Sequence, residues 1–262
     1  MEETRPTGTQ SIDRSVLLLR RIAMRGPAGC GLTDLAQRSD LDKGTTHRIL
    51  SALVRGRLVE RDPVTRAYRL GAMLFELSLG RPDLLEMRKA SEQPLERVAQ
   101  RLRCMTYLYL RSGNDVVWAA EAGRAPIKAM MGRIGSRRPI VHTAGGAAML
   151  LAMPPQQAAA IIADCLEELR APGGVGRLDA ASQILERSRS LGFGVSEGHI
   201  APHTTVIAVA VRDAAGKPFA AVNAGGPTGD FPIARYRAVV EVLSQEALAI
   251  EELVAQISPR ST

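Results

Sequence analysis

Between residues 12 and 70, three short helical patterns follow one another closely and run into a hairpin pattern, which leaves this stretch few folds to adopt. In the first, Ile12, Val16, Leu19 and Ala23 recur at intervals of three and four, the spacing of one buried helix face. Gly26-Pro27 ends it. Thr33 is a suitable N-cap for a second helix reaching Arg38, with Leu35 and Ala36 inward. Ser39-Asp40-Leu41-Asp42 turns the chain. The third helix runs from Lys43 to a stop at Gly56, with Ile49, Leu50, Leu53 and Val54 as its apolar stripe. Leu58 to Asp62 and Ala67 to Leu70 read as strands joined by a turn at Pro63 to Arg66.

A short helix, a turn, a second helix and a hairpin wing form a winged helix-turn-helix. The third helix places Lys43, Thr45, Thr46, His47 and Arg48 on its first turn and outer face. Arginine can reach a guanine edge, and threonine can meet a thymine methyl or a phosphate. Arg61, Arg66 and Arg69 in the wing suit the phosphate backbone. From Lys43 to Arg69 seven basic residues are opposed only by Glu60 and Asp62. This cluster says more than the net charge of +7, because an arginine- and alanine-rich composition also follows from a GC-rich genome. A helical bundle with a solvated basic face is the alternative reading.

Two sets of residues resemble the IclR family of transcription regulators. Ser11-Ile12-Asp13-Arg14-Ser15, Leu32-Thr33-Asp34-Leu35-Ala36, the run Leu41 to Leu50 and Tyr68-Arg69-Leu70-Gly71 are similar to the family's N-terminal domain. His142-Thr143-Ala144-Gly145-Gly146, Leu150-Leu151-Ala152, Leu191-Gly192-Phe193, Ala208 to Val211 and Gly226-Pro227 resemble its effector domain. The sequence departs from the family pattern at Asp42 (usually proline), Thr46 (usually valine), and Ala147 and Ala148 (usually glycine and lysine).

The expected organisation is a DNA-binding domain over 9–71, a linker helix over 72–84 and an effector-binding domain over 85–262. In the linker, Met73, Leu74, Leu77 and Ser78 form a stripe for burial or dimerisation. Beyond it come a helix to Arg103 broken at Pro94, and strands at Met105–Leu110 and Asp115–Ala120 about a turn at Ser112-Gly113-Asn114. Helices follow from Ala144, Pro155 and Asp179, then strands near Val195, at Val206–Arg212 and at Phe219–Asn223, and a long helix from Ile233 to Ile257. This is an α+β arrangement on an antiparallel sheet, with helices over one face leaving room for a pocket. The resemblance implies a GAF-like or PAS-like domain, a homodimer or tetramer, a near-palindromic double-stranded operator and a small organic acid as effector.

By position in the family, Gly145 and Gly146 would hold the acid group, and Ser196, Thr204, Val206, Asn223 and Gly225 would line the remaining wall. Ser196 stands where some relatives carry an acidic residue. The same two glycines also suit close packing of a helix on a sheet.

Other features point less clearly. Arg124, Lys128, Arg133, Arg137 and Arg138 form a basic run without acids, suited to anions or simply solvated. His199, His203 and Glu197 are close in sequence, but Pro202 argues against helical ligand geometry, so no metal and no other cofactor is expected. Cys30, Cys104 and Cys165 are scattered, as in a reducing cytosol. No nucleophile motif, P-loop or GxGxxG supports catalysis. No run approaches the roughly 18 apolar residues of a membrane span, and the polar start is unlike a signal peptide, so a cytoplasmic protein is expected. A ligand-independent DNA-binding protein and a redox or metal sensor are the alternative functions.

Overall fold

The computed structural model describes residues 9–80, 82–124, 134–169, 175–199 and 201–257. The chain divides into two units, Met1–Pro82 and Asp83–Thr262.

In the first unit α1 (Gln10–Ala23), α2 (Leu32–Arg38) and α3 (Lys43–Arg55) enclose Leu18, Ile22, Leu35, Leu50 and Leu53. The face of α1 differs from the expected one. Leu18 and Ile22 are buried, whereas Ile12 is 63% and Val16 40% exposed, and Ala23 is also outside. The apolar run at 16–19 satisfies two overlapping stripes, and packing against α2, α3 and the hairpin selects the one through Leu18 and Ile22. Gly31, not Thr33, is the N-cap of α2, and Thr33 lies in its first turn. The hairpin strands β1 (Val59–Arg61) and β2 (Tyr68–Leu70) pair antiparallel, with Val59 opposite Leu70. Asp62 organises their turn by accepting the amide N–H groups of Val64 at 2.9 Å and Thr65 at 2.8 Å.

A short helix α4 (Met73–Ser78) ends before Gly80, and a new helix α5 (Pro82–Leu102) begins at the proline. The linker helix expected over 72–84 thus ends at Ser78, and the helix expected after it starts at Pro82. Proline suits a first helical position, where its missing N–H costs nothing. No residue of α4 is buried, and Phe75 and Leu77 are more than half exposed. Pro94 does not break α5. Leu95, Val98 and Leu102 pack into the core of the second unit, and that burial outweighs the roughly 3 kcal/mol cost of an internal proline.

The second unit is built on six antiparallel strands: β3 (Met105–Ser112), β4 (Asp115–Ala122), β5 (Arg137–Pro139), β6 (Gly194–Glu197), β7 (Thr204–Arg212) and β8 (Pro218–Pro227). Their order is β5-β4-β3-β8-β7-β6. Helices cover both faces, not one. On the first lie α6 (Ala144–Leu151), α7 (Pro155–Leu169) and α8 (Val175–Leu191), packed on Tyr107, Tyr109, Trp118, Val206 and Ala208. On the other, α5 and α9 (Tyr236–Ile257) pack on Leu108, Ile207, Val211 and Val222. Strand alternation between two apolar faces explains why β7 reads as an unbroken apolar run. A buried carboxylate, Glu246 of α9, joins these two helices by accepting from Arg97 at 2.9 and 2.6 Å.

Candidate functional site

The first turn of α3 is built by its own cap. Asp42 accepts the Thr45 amide N–H at 2.8 Å, and this bond first of all holds its carboxyl below the usual aspartate range. Lys43, His47 and Arg48 are exposed, and Thr45 is half-buried beside them. The Arg48 guanidinium donates to the Thr45 hydroxyl at 3.2 Å, one helical turn away. In the hairpin, Arg61 lies over the Tyr68 ring at 5.4 Å, Arg69 is ion-paired with Asp62 at 3.2 Å, and Arg66 is exposed at the turn.

Thr46 is a correction. It is fully buried, and its hydroxyl donates to the Asp42 carbonyl at 2.9 Å, so its side chain faces the core and not a groove. That carbonyl also accepts the Thr46 amide N–H at 3.0 Å and stays satisfied without the hydroxyl. Thr46→Val is therefore expected to change stability by no more than about 1 kcal/mol and to leave DNA affinity unchanged. Urea unfolding and anisotropy titration check both.

In the second unit the expected wall residues come together. Ser196, Val206, Gly225 and Met105 stand in one row across β6, β7, β8 and β3. Asn223 stands in the next row, between Ala208 and Tyr107. Met105, Tyr107, Val206 and Ala208 face α6, α7 and α8, and strand alternation puts Ser196, Thr204, Asn223 and Gly225 on that face too. The Thr204 hydroxyl already donates to the Ala201 carbonyl at 2.6 Å.

The glycine turn is tighter than a simple acid cradle. Thr143 caps α6 by accepting the Gly146 amide N–H at 2.9 Å, so that donor is engaged. A Cβ on Gly146 would stand 1.8 Å from the Ile140 carbonyl oxygen, and one on Gly145 would stand 2.7 Å from Asn223 Oδ1 and 2.9 Å from Tyr109 Cδ2. Close packing of α6 is what these glycines provide, and it sets Gly145 against Asn223. The Asn223 amide nitrogen donates to the Tyr107 and Ala221 carbonyls at 3.3 and 3.1 Å. Its oxygen is buried and has no partner among the described residues.

The residue list from sequence omits an aromatic cluster beside this wall. Tyr107 and Trp118 stack with ring centroids 3.9 Å apart, and Tyr109 stands edge-on to both. A usable signal was present: the chain has four tyrosines, four phenylalanines and one tryptophan, and Tyr107, Tyr109 and Trp118 lie on adjoining strands. Burial pushes the Tyr109 phenol up to about 12, although Arg138 beside it acts the other way. Burial first, then Arg138 and Arg177, lowers the His142 imidazole.

The remaining candidates form no such assembly. Glu197 accepts the Tyr236 hydroxyl at 2.6 Å and pairs with Arg187, while its amide N–H donates to His199 Nδ1 at 3.2 Å. Among the described residues no three His, Cys, Asp or Glu side chains group as metal ligands. Cys104 packs with α5 and α9, and Cys165 on the opposite face with α6 to α8. Burial pushes the Cys104 thiol up to about 11, which suppresses the reactive thiolate. No described helix is long and apolar enough to cross a membrane. Lys128 and Arg133 of the basic run lie outside the described residues.

Comparison with known proteins accords with this two-unit reading. Residues 11–63 match the IclR helix-turn-helix domain, and residues 83–252 match the bacterial transcriptional regulator IclR C-terminal domain. The glycerol operon regulatory protein of Streptomyces coelicolor is 27% identical over 248 residues, covering 95% of this chain and 92% of its own. The transcriptional repressor AllR of Klebsiella pneumoniae is 21% identical over 257 residues, covering 94% and 90%. Among solved structures, an IclR regulator from Silicibacter sp. TM1040 superposes with a TM-score of 0.73 at 22% identity, covering 95% of this chain and 98% of that one. An IclR homologue from Microbacterium hydrocarbonoxydans, complexed with 4-hydroxybenzoate, gives 0.70 at 25% identity, covering 95% and 100%.

Proposed function

Because the chain belongs to the IclR family of bacterial transcriptional regulators, we propose that it is a repressor that reads a near-palindromic operator as a homodimer or tetramer and answers to a small organic acid. The observation that carries the DNA side is the start of α3, where Lys43, Thr45, His47 and Arg48 surround a helix end capped by Asp42. A helix N-terminus favours a phosphate, and Arg48 is long enough to reach a base edge past it. The Thr45 hydroxyl restrains Arg48 before DNA arrives, which lowers the entropy lost on binding. Arg61 and Arg66 of the hairpin meet phosphates, and Thr46 has no part in the contact. Exposed Phe75 and Leu77 of α4 and Ile12 and Val16 of α1 give apolar surface for a second copy of the chain. The chain then acts where the DNA is, in the cytoplasm.

On the ligand side, the support is the row of small and polar residues facing α6, with Asn223 at Gly145. The homologue that holds 4-hydroxybenzoate supports an organic acid in the same domain. The acid alters operator affinity, and by linkage the operator alters acid affinity by the same factor.

Arg66→Ala is expected to weaken binding to all sequences alike and to reduce the slope of log K against log salt by about one. Titrations of specific and random duplexes at several salt concentrations test this. A loss confined to the specific duplex would contradict a phosphate role for Arg66.

A further inference from the structure

The end of α3 is fastened to the helix that follows the hairpin. Past Gly56 the chain leaves α3 through Arg57, which stands in the left-handed region at φ 56° while its amide N–H still donates to the Val54 carbonyl at 2.9 Å. Such a conformation is uncommon for a residue with a side chain. Here it is used, because the Arg57 carbonyl accepts the Met73 amide N–H at 3.2 Å, at the start of α4. Just before, the Gly71 amide N–H donates to the Leu58 carbonyl at 2.9 Å, and a Cβ at Gly71 would collide with the Arg57 carbonyl. After the whole hairpin, residues 71–73 thus return onto residues 57–58.

These bonds locate the first residue of α4 but leave its direction open, since a helix held at one end can swing about it. Burial does not set the direction either, because α4 has no buried residue. A second attachment comes three residues on, where the Arg57 guanidinium donates to Glu76 Oε1 at 2.7 Å. Arg57 therefore holds α4 at two points, Met73 through its carbonyl and Glu76 through its side chain. The two side chains are 62% and 43% exposed, and an ion pair so open to water adds little to stability. What it supplies is orientation.

The orientation of α4 bears on the DNA contact. Phe75 and Leu77, the apolar surface assigned above to a second copy, lie on α4, and Lys43, Thr45, His47 and Arg48 lie at the far end of α3 from Arg57. In a two-fold dimer joined through α4, the path from one α3 to the other crosses the Arg57 joint twice, so a swing at the joint is doubled. The duplex tolerates little of this. One base pair moves a half-site by about 3.4 Å and turns it by about 35°.

We infer that the Arg57–Glu76 pair fixes the separation of the two half-sites that the dimer accepts. Both are positioning residues, and neither reads a base. This rests on the proposed dimer and adds to it the contact that sets its geometry on DNA.

The full chain is footprinted on the intergenic DNA beside its gene. The protected site is then prepared with its centre unchanged, lengthened by one base pair and shortened by one, together with a duplex holding one half-site. In anisotropy titrations the unaltered chain is expected to bind the natural spacing at least about tenfold tighter than either altered one, the cost of one misplaced base pair. Glu76→Ala keeps a good helix former in α4. It is expected to cut the preference to about threefold, half of that free energy, with affinity for the single half-site unchanged. Exchange of the two residues, Arg57→Glu with Glu76→Arg, is expected to restore the preference. An unaltered chain indifferent to spacing overturns the proposal. So does a Glu76→Ala protein that keeps the full preference, or one that loses single half-site binding and so acts through the fold of the unit. Sedimentation equilibrium at the same concentrations tests the dimer separately. A monomer overturns the dimer and the inference resting on it, whereas a dimer whose spacing preference Glu76→Ala does not move overturns the role of the pair alone.

Discussion

Arg48→Ala is expected to lower affinity for the operator by about 1–3 kcal/mol, to relax the preference at one position of each half-site, and to leave affinity for random DNA nearly unchanged. Arg48 is exposed on the first turns of α3 and is held by Thr45 rather than by a carboxylate. Removing it takes no support from the core, so a loss of binding reports recognition and not unfolding. A residue that met only phosphate would lose affinity on both kinds of DNA, with a smaller salt slope. In a dimer the change occurs in both half-sites, which makes this the largest expected effect on the DNA side. Anisotropy with an operator duplex, single-base variants of it and a random duplex measures all three quantities. Equal losses on operator and random DNA would contradict base reading by Arg48.

Gly146→Ala is expected to destabilise the second unit by about 3 kcal/mol, near the upper end for an overpacked core site. The new methyl would stand 1.8 Å from the Ile140 carbonyl oxygen, and backbone, not a flexible side chain, has to yield. For a unit of this size the loss lowers the midpoint of thermal unfolding by roughly 6–12 °C. Gly229→Ala is the control, since nothing lies within 4 Å of its new methyl and its backbone is not in the left-handed region. Calorimetry of the three proteins gives the comparison. A Gly146→Ala protein as stable as the control would show that α6 can lift from Ile140, and the tight packing of the turn would be wrong.

The parts of the fold that were legible are those fixed by neighbouring residues. The limits of α3 follow from the turn Ser39 to Asp42 at one end and Gly56 at the other, and the hairpin from the turn at Pro63 to Arg66; the structure adds that Asp42 and Asp62 fix these turns by accepting amide N–H groups. The face of α1 was not legible, because the run Val16 to Leu19 serves two stripes and the choice is made by other elements. The continuity of α5 through Pro94 was hidden for the same reason, since the burial that offsets the proline lies in distant strands. At the site, Thr46 reads as a polar residue on a basic helix until its turn position is known, and its hydroxyl proves to be satisfied by Asp42 one turn back. The residues assigned to the pocket wall by resemblance share one face, because strand register carries Ser196, Val206 and Gly225 into one row. The pairing of Arg138 with Val116 leaves no trace in local sequence, and the stacking of Tyr107 on Trp118 leaves only the placement of three scarce aromatics on two adjoining strands. Both depend on how separate strands align.

Regulation of DNA binding by an acid is tested most directly by fluorescence anisotropy on the intergenic DNA beside the gene for this chain, against a random duplex, with and without a panel of organic acids. The expected result is tight binding to the intergenic duplex, at least about 4 kcal/mol better than to random DNA, with an affinity that one acid changes and the others do not. Equal binding to both duplexes, unmoved by any acid, would contradict it.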